Sequence, residues 1–200
     1  MTLKQSEISA IILAGGVGKR MGSKNKGLLD YNGKPLIEHV INNIRDQVST
    51  IVISCNEDLD QYRQFNYPIA VDTHKDDSEG DAKHGDKQNM GPLAGLLSAM
   101  KKITTPYCFI TACDMPYLPD TIVMDLADAL GEQDAISIKT DRGIEPLVSL
   151  VRTPCMLGIE HHLKTNRRSV HSWLATLSWL TLNSDLTQQF RNLNHPEDLQ

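Results

Sequence analysis

The run Ile8-Ser-Ala-Ile-Ile-Leu-Ala14, closed by Gly15-Gly16, narrows what this chain can fold into more than any other feature of it. A short, nearly continuous apolar stretch that stops at a turn is the pattern of a strand buried on both faces, and such strands belong to parallel sheets. The next forty residues have the spacing of a crossover. Pro35 suits a first helical position, Leu36, Val40, Ile41 and Ile44 share one helical face, and Thr50 to Cys55 reads as the next strand. Strand, helix and strand in this order form a right-handed βαβ unit.

The alternation continues to the C-terminus. Ile69 to Asp72 is a candidate third strand. Leu93, Leu96, Leu97 and Met100 mark an amphipathic helix, Tyr107 to Ala112 is another buried strand, and Pro119 begins a helix carrying Ile122, Leu126 and Leu130. Ala135 to Lys139 and Leu147 to Val151 read as strands divided by the turn Thr140 to Gly143. Met156 to Leu163 and Val170 to Leu177 read as helices, Ser178 to Leu182 as a strand, and Pro196 onward as a terminal helix. Between 73 and 90 the chain holds almost nothing apolar, which predicts a long mobile polar loop rather than a linker between domains. The whole pattern predicts a single domain over residues 1–200. Its fold class is α/β: a doubly wound α/β/α sandwich with a mostly parallel, Rossmann-like sheet, and ligands at the carboxyl ends of the strands.

Charge bounds the partners. A net charge of −5 gives no overall basic excess for gripping nucleic acid, so any phosphate site must be local, and Lys19, Arg20, Lys24, Lys26 and Lys34 do cluster early. The first apolar run is too short to span a membrane and has no charged leader. Cys55, Cys108, Cys113 and Cys155 form no C-x-x-C pair and lie in or beside apolar runs, as buried thiols do in a reducing compartment. The expected location is the cytoplasm.

Chemistry concentrates just past the first strand. Gly15, Gly16 and Gly18 let the backbone approach a ligand and aim N–H groups at phosphate oxygens, while Arg20 and Lys26 can neutralise its charge. Two commoner phosphate motifs are excluded. A dinucleotide fingerprint starting at Gly16 needs glycine where Met21 stands, and a P-loop starting at Gly22 needs Lys-Ser/Thr where Leu28 and Leu29 stand. Asp114, in Cys113-Asp-Met-Pro116, directly succeeds a buried strand, where one carboxylate can hold Mg²⁺ together with substrate phosphates or serve merely as a turn residue. His161-His162 could suggest a transition metal, but neighbours on a helix point apart and the sequence offers no third ligand.

With these residues in place a resemblance becomes specific. Leu13-Ala-Gly-Gly16, Arg20-Met-Gly22 and Lys26-Gly27 resemble the opening signature of nucleotidyltransferases. Gly33-Lys-Pro-Leu36, Gly91-Pro-Leu-Ala-Gly95, Cys113-Asp-Met-Pro116, Glu145-Pro-Leu147, Arg168-Ser-Val170 and the tail from Phe190 to Leu199 come after them in order. Together they resemble the MobA family of molybdenum cofactor guanylyltransferases. The resemblance implies transfer of GMP from GTP to the phosphate of molybdenum-loaded molybdopterin, with release of pyrophosphate and no covalent enzyme intermediate. It implies Mg²⁺ as cofactor, held by Asp114, and catalytic roles for Arg20, Lys26 and Asp114. Nucleotide contacts are implied for Leu13, Ala14, Gly15, Gly16, Lys26, Ser54, Asn56, Asp72, Gly91, Pro92, Leu93 and Asp114. Arg168, Asn192 and Asn194 are expected to meet the pterin substrate. Proteins of molybdenum cofactor biosynthesis, or apo-molybdoenzymes, become the expected protein partners; nucleic acid and membrane do not.

Two positions depart from the family pattern: Asn25 stands where an Asp usually precedes the lysine, and Ser54 where a strand-end Asn is usual. The glycine loop by itself also suits a cytidylyltransferase acting on molybdopterin or on a sugar or polyol phosphate. A nucleotide- or cofactor-binding protein without turnover would keep the same fold.

Overall fold

At the centre of the molecule lies β1 (Ile8–Leu13), whose six residues are all buried. The computed structural model describes residues 3–15, 17–18, 24–72, 91–165 and 167–199. After β1, β2 (Val17–Gly18) and β3 (Lys24–Asn25) pair as a short antiparallel ribbon, and β4 (Asp30–Tyr31) and β5 (Lys34–Pro35) as a second. Asn32 and Gly33 join the latter pair at φ 52° and 79°, the two left-handed residues of a tight hairpin turn. That hairpin corrects the expectation for Pro35. Pro35 is extended and paired with Asp30, so α1 (Leu36–Ile44) begins one residue later. The buried face of α1 is the predicted one with Ile37 added.

The chain continues through β6 (Thr50–Ser54), α2 (Leu59–Arg63), β7 (Ile69–Ala70), α3 (Pro92–Met100), β8 (Tyr107–Ala112) and α4 (Ile122–Ala129). It ends with β9 (Ala135–Thr140), β10 (Gly143–Arg152), α5 (Gly158–Lys164), α6 (Val170–Leu174) and β11 (Trp179–Asn183). Seven of these strands form one sheet in the order β11-β9-β10-β8-β1-β6-β7. Only β10 runs against the others, so the sheet is mostly parallel. Side chains alternate along β1: Ile8, Ala10 and Ile12 join the core beneath α1, α2 and α4, while Ile11 and Leu13 join the core beneath α3, α5 and α6. Helices thus cover both faces, which is the doubly wound sandwich.

Several local expectations change. The helix α3 is buried nearly all round, from Leu93 through Ala99, because it packs on β1, β6 and α5 together; it is not amphipathic. Pro119 opens a turn whose carbonyl accepts the Ile122 N–H, and α4 starts at Ile122. The helix from Val170 stops at Leu174, and the terminal one is a single 3₁₀ turn, Pro196–Leu199. The strand predicted from Leu147 begins at Gly143; its register with β9 shifts between Glu145 and Ser149, where Pro146 has no N–H for the ladder. The predicted mobile loop at 73–90 lies outside the described residues. Among those residues no helix is long and apolar enough to cross a membrane.

Candidate active site

Leu13 stands opposite Ser54 on one side and Ala112 on the other, so three neighbouring strands end at one level. The Ala14 N–H donates to the Ser54 carbonyl (2.8 Å) and the Cys113 N–H to the Leu13 carbonyl (3.1 Å), which carries the pairing one step beyond the strands. From β1 the chain reaches β6 over one face through α1 and enters β8 from the other face through α3. A crevice opens where the direction switches. It holds a pocket of about 160 Å³ lined by Leu13, Ala14, Gly15, Lys26, Pro92, Asp114 and Asn192, all given site roles from the sequence, and by Ala112, Cys113 and Leu147, which were given none.

Asp114 is 6% exposed and both its carboxylate oxygens are engaged. Lys26 Nζ forms an ion pair with Oδ2 and donates a second hydrogen bond to Asn194 Oδ1 at 2.6 Å. Asn192 Nδ2 donates to Oδ1 at 2.9 Å, and the Leu193 N–H to the Asp114 carbonyl at 3.0 Å. The structure therefore gathers Lys26, Asp114, Asn192 and Asn194 from three distant parts of the chain. Asn192 and Asn194, expected on the pterin side, sit directly on the Lys26–Asp114 pair.

The turn that carries Lys26, Lys26–Leu28, is seated by close packing. A Cβ on Gly27 would lie 2.6 Å from the Tyr62 hydroxyl and 3.2 Å from Cys113 Cβ, so only glycine lets the backbone come this near. Tyr62, fully buried, donates its hydroxyl hydrogen to Asn25 Oδ1 at 2.6 Å. Burial raises the Tyr62 pKa well above the ordinary phenol value, so it remains a donor. The neutral Asn25 thus anchors the ribbon leading into Lys26.

A second polar group borders the pocket. Asn56 spans Asp72 from both sides: its Oδ1 accepts the Asp72 N–H at 2.8 Å and its Nδ2 donates to Asp72 Oδ2 at 3.4 Å. Ser98, on α3, donates to Asp72 Oδ1 at 3.0 Å. Gly15 joins this group to the pocket, since a Cβ there would stand 3.9 Å from Asn56 Nδ2. Ser54 instead turns toward α3, its Oγ 2.6 Å from where a Gly95 Cβ would be. Gly91, at φ 75°, lies against Arg168, whose carbonyl would be 3.1 Å from an added Cβ. This brings the Arg168 backbone to the start of α3 beside Pro92. Leu93 is fully buried in the core under α3 rather than on the pocket. Gly16 and Arg20 lie outside the described residues.

Cys113 adjoins Asp114 yet suits no nucleophilic role. Burial first, and then the Asp114 charge, raise its thiol far above the usual range, and burial likewise pushes Cys55 up to about 11. Both stay protonated at neutral pH. His162 is buried with Nε2 3.1 Å from Ser172 Oγ, and among the described residues no three His, Cys, Asp or Glu side chains gather as a metal group. Of the described residues that line the pocket, Asp114 alone carries a carboxylate, a hard oxygen donor of the kind that shares a cation with phosphates and water.

Comparison with known proteins adds findings of three kinds: a family, relatives and solved structures. The MobA-like NTP transferase domain family matches residues 10–180. A molybdenum cofactor guanylyltransferase of Shewanella loihica is 33% identical over 197 residues, covering 97% of this chain and 94% of the relative. One from Shewanella frigidimarina is 33% identical over 201 residues, covering 97% and 94%. Among solved structures, molybdopterin-guanine dinucleotide biosynthesis protein A of Archaeoglobus fulgidus shares the fold at a TM-score of 0.72 and 23% identity, with 96% and 94% of the two chains covered. So does the 4-diphosphocytidyl-2C-methyl-D-erythritol synthase of Anaerococcus prevotii, at 0.69 and 11% identity over 98% and 96% of the chains.

Proposed function

Since the chain belongs to the MobA-like NTP transferase domain family, we propose that it is a molybdenum cofactor guanylyltransferase. It transfers GMP from GTP to the phosphate of molybdenum-loaded molybdopterin. An oxygen of the acceptor phosphate attacks the α-phosphorus of GTP, one P–O bond forms, the bond to the β-phosphate breaks, and pyrophosphate leaves. The observation that carries this reading is the Lys26–Asp114 pair at the sheet's switch point, in a chain alike to guanylyltransferases along nearly its whole length.

The chemistry asks little of the protein beyond alignment and charge. The acceptor is already a nucleophilic anion, so no general base is required, and the raised thiol pKa values fit a route without a covalent intermediate. Lys26 moves its ammonium from Asp114 to the triphosphate, where it offsets the repulsion between two anions and the charge that grows on the departing pyrophosphate. Asp114 would hold Mg²⁺, which would supply Lewis-acid neutralisation of phosphate oxygens. The backbone at Leu13, Ala14 and Gly15 supports the phosphates, and Gly16 and Arg20 join them as phosphate contacts. Asp72, braced by Asn56 and Ser98, accepts the adjacent N–H donors of the guanine edge. Arg168 borders the acceptor, and the two tail asparagines hold Asp114 and Lys26 in place. The free, mostly buried cysteines suit a reducing cytoplasm.

Asp114→Ala tests the reading. The residue stands just past a strand rather than filling the core, so the variant is expected to fold and to lose turnover. Near-normal turnover in the presence of Mg²⁺ would remove Asp114 from the metal site.

A further inference from the structure

A second carboxylate, that of Asp198, has no place in that chemistry and yet is hydrogen-bonded to the backbone of Asn194, whose side chain touches Lys26. We propose that Asp198 is a positioning residue for the phosphate and metal site, acting through the loop from Arg191 to His195. One of its oxygens, Oδ2, accepts the backbone N–H groups of Asn194 (2.8 Å) and His195 (2.9 Å). The other pairs with the Arg191 guanidinium. Asp198 therefore ties both ends of a five-residue loop to one point.

The three residues inside that closure are the ones that reach the site. Asn192 donates to Asp114 Oδ1, the Leu193 N–H to the Asp114 carbonyl, and Asn194 accepts from Lys26. Below them the loop is pinned by Phe190 and Leu193, each 1% exposed, and by Arg142, which donates to the Phe190 carbonyl at 3.0 Å. The apolar anchors fix where the loop sits. Asp198 fixes the backbone direction at Asn194, and hence which way the two amides point. The hydrogen bonds from His195 and Asn194, with Arg191, hold its carboxyl below the ordinary carboxylate value, so it is charged whenever the enzyme works.

The bland alternative is a cap. Asp198 is the third residue of the 3₁₀ turn Pro196–Leu199, and a side chain there commonly reaches back to the preceding N–H. A cap contributes stability alone. A positioning residue also sets the affinity of the groups it orients, and loss of such outer partners costs about 10–100-fold in metal affinity or activity.

This inference rests on the reading of Asp114 as the metal carboxylate. Mn²⁺, standing in for Mg²⁺, is titrated calorimetrically into the full-length protein with GTP and no acceptor, for wild type, Asp198→Ala, Asp198→Asn and Asp114→Asn. Thermal melts run alongside, and the Asn variant carries the test if the Ala variant does not fold. Asp198→Ala is expected to weaken Mn²⁺ binding about tenfold. Asp198→Asn, which keeps one acceptor oxygen for the two N–H groups, is expected to lose less. Lowered melting temperatures with Mn²⁺ affinity unchanged in both Asp198 variants, while Asp114→Asn binds poorly, would reduce Asp198 to a cap. Unchanged affinity in Asp114→Asn as well would instead overturn the metal reading, and this inference with it.

Discussion

Gly27→Ala probes the packing that seats Lys26. The added methyl would stand 2.6 Å from the Tyr62 hydroxyl and 3.2 Å from both Cβ and Sγ of Cys113. Tyr62 is fully buried on a rigid ring, so its hydroxyl cannot swing aside as the end of a flexible chain could. Overpacking of this kind costs about 1–3 kcal/mol, which for a chain of this length lowers Tm by roughly 2–12 °C. Tyr62→Phe removes the closest clash along with one hydrogen bond to the half-buried Asn25, a loss of about 1 kcal/mol by itself. In the double variant only the 3.2 Å contacts with Cys113 remain, and these can relax by a few tenths of an ångström. Urea denaturation of the four proteins then gives a coupling energy. The double variant is expected to lose at least about 1 kcal/mol less than the two single losses summed. Strict additivity would mean that the lysine turn does not rest on Tyr62.

Two predictions concern the nucleotide. Lys26→Ala is expected to lower kcat/KM roughly 10²-fold in steady-state assays, with Lys24→Ala near wild type and Lys26→Arg only partly restored, because a planar fork replaces a compact charge. Equal, small effects at 24 and 26 would take the triphosphate off this loop. Asp72→Ala is expected to weaken GTP binding about 10–100-fold, since the guanine N–H donors lose their acceptor, and to leave binding of inorganic tripolyphosphate unchanged. Parallel losses with both ligands would show that Asp72 does not read the base.

The parts of this molecule that the sequence exposes are those where local pattern and function coincide. Ile8 to Ala14 and Tyr107 to Ala112 are apolar because they are buried on both faces, and the residues just beyond each must lie at the ligand end of the sheet. Hence Gly15, Lys26 and Asp114 were legible, and they do share a pocket. Asn32-Gly33 carries an equally local hairpin signal, which a helix reading that starts at Pro35 passes over. Other features depend on partners far away in the chain. Nothing near Asn194 signals that it accepts from Lys26, 168 residues away, or near Ser98 that it braces Asp72. The near-complete burial of α3 likewise comes from what surrounds it, not from its own periodicity, which reads as amphipathic.

The base and the acceptor together are the central claim, and one experiment addresses both. The protein is incubated with Mg²⁺ and molybdenum-loaded molybdopterin plus GTP, CTP, ATP or UTP in turn, and product masses and pyrophosphate are measured. The account predicts a product only with GTP, heavier than the acceptor by GMP less one water, with pyrophosphate released in equal amount and only when the acceptor is present. A CMP adduct, or no adduct with any of the four nucleotides, would contradict it.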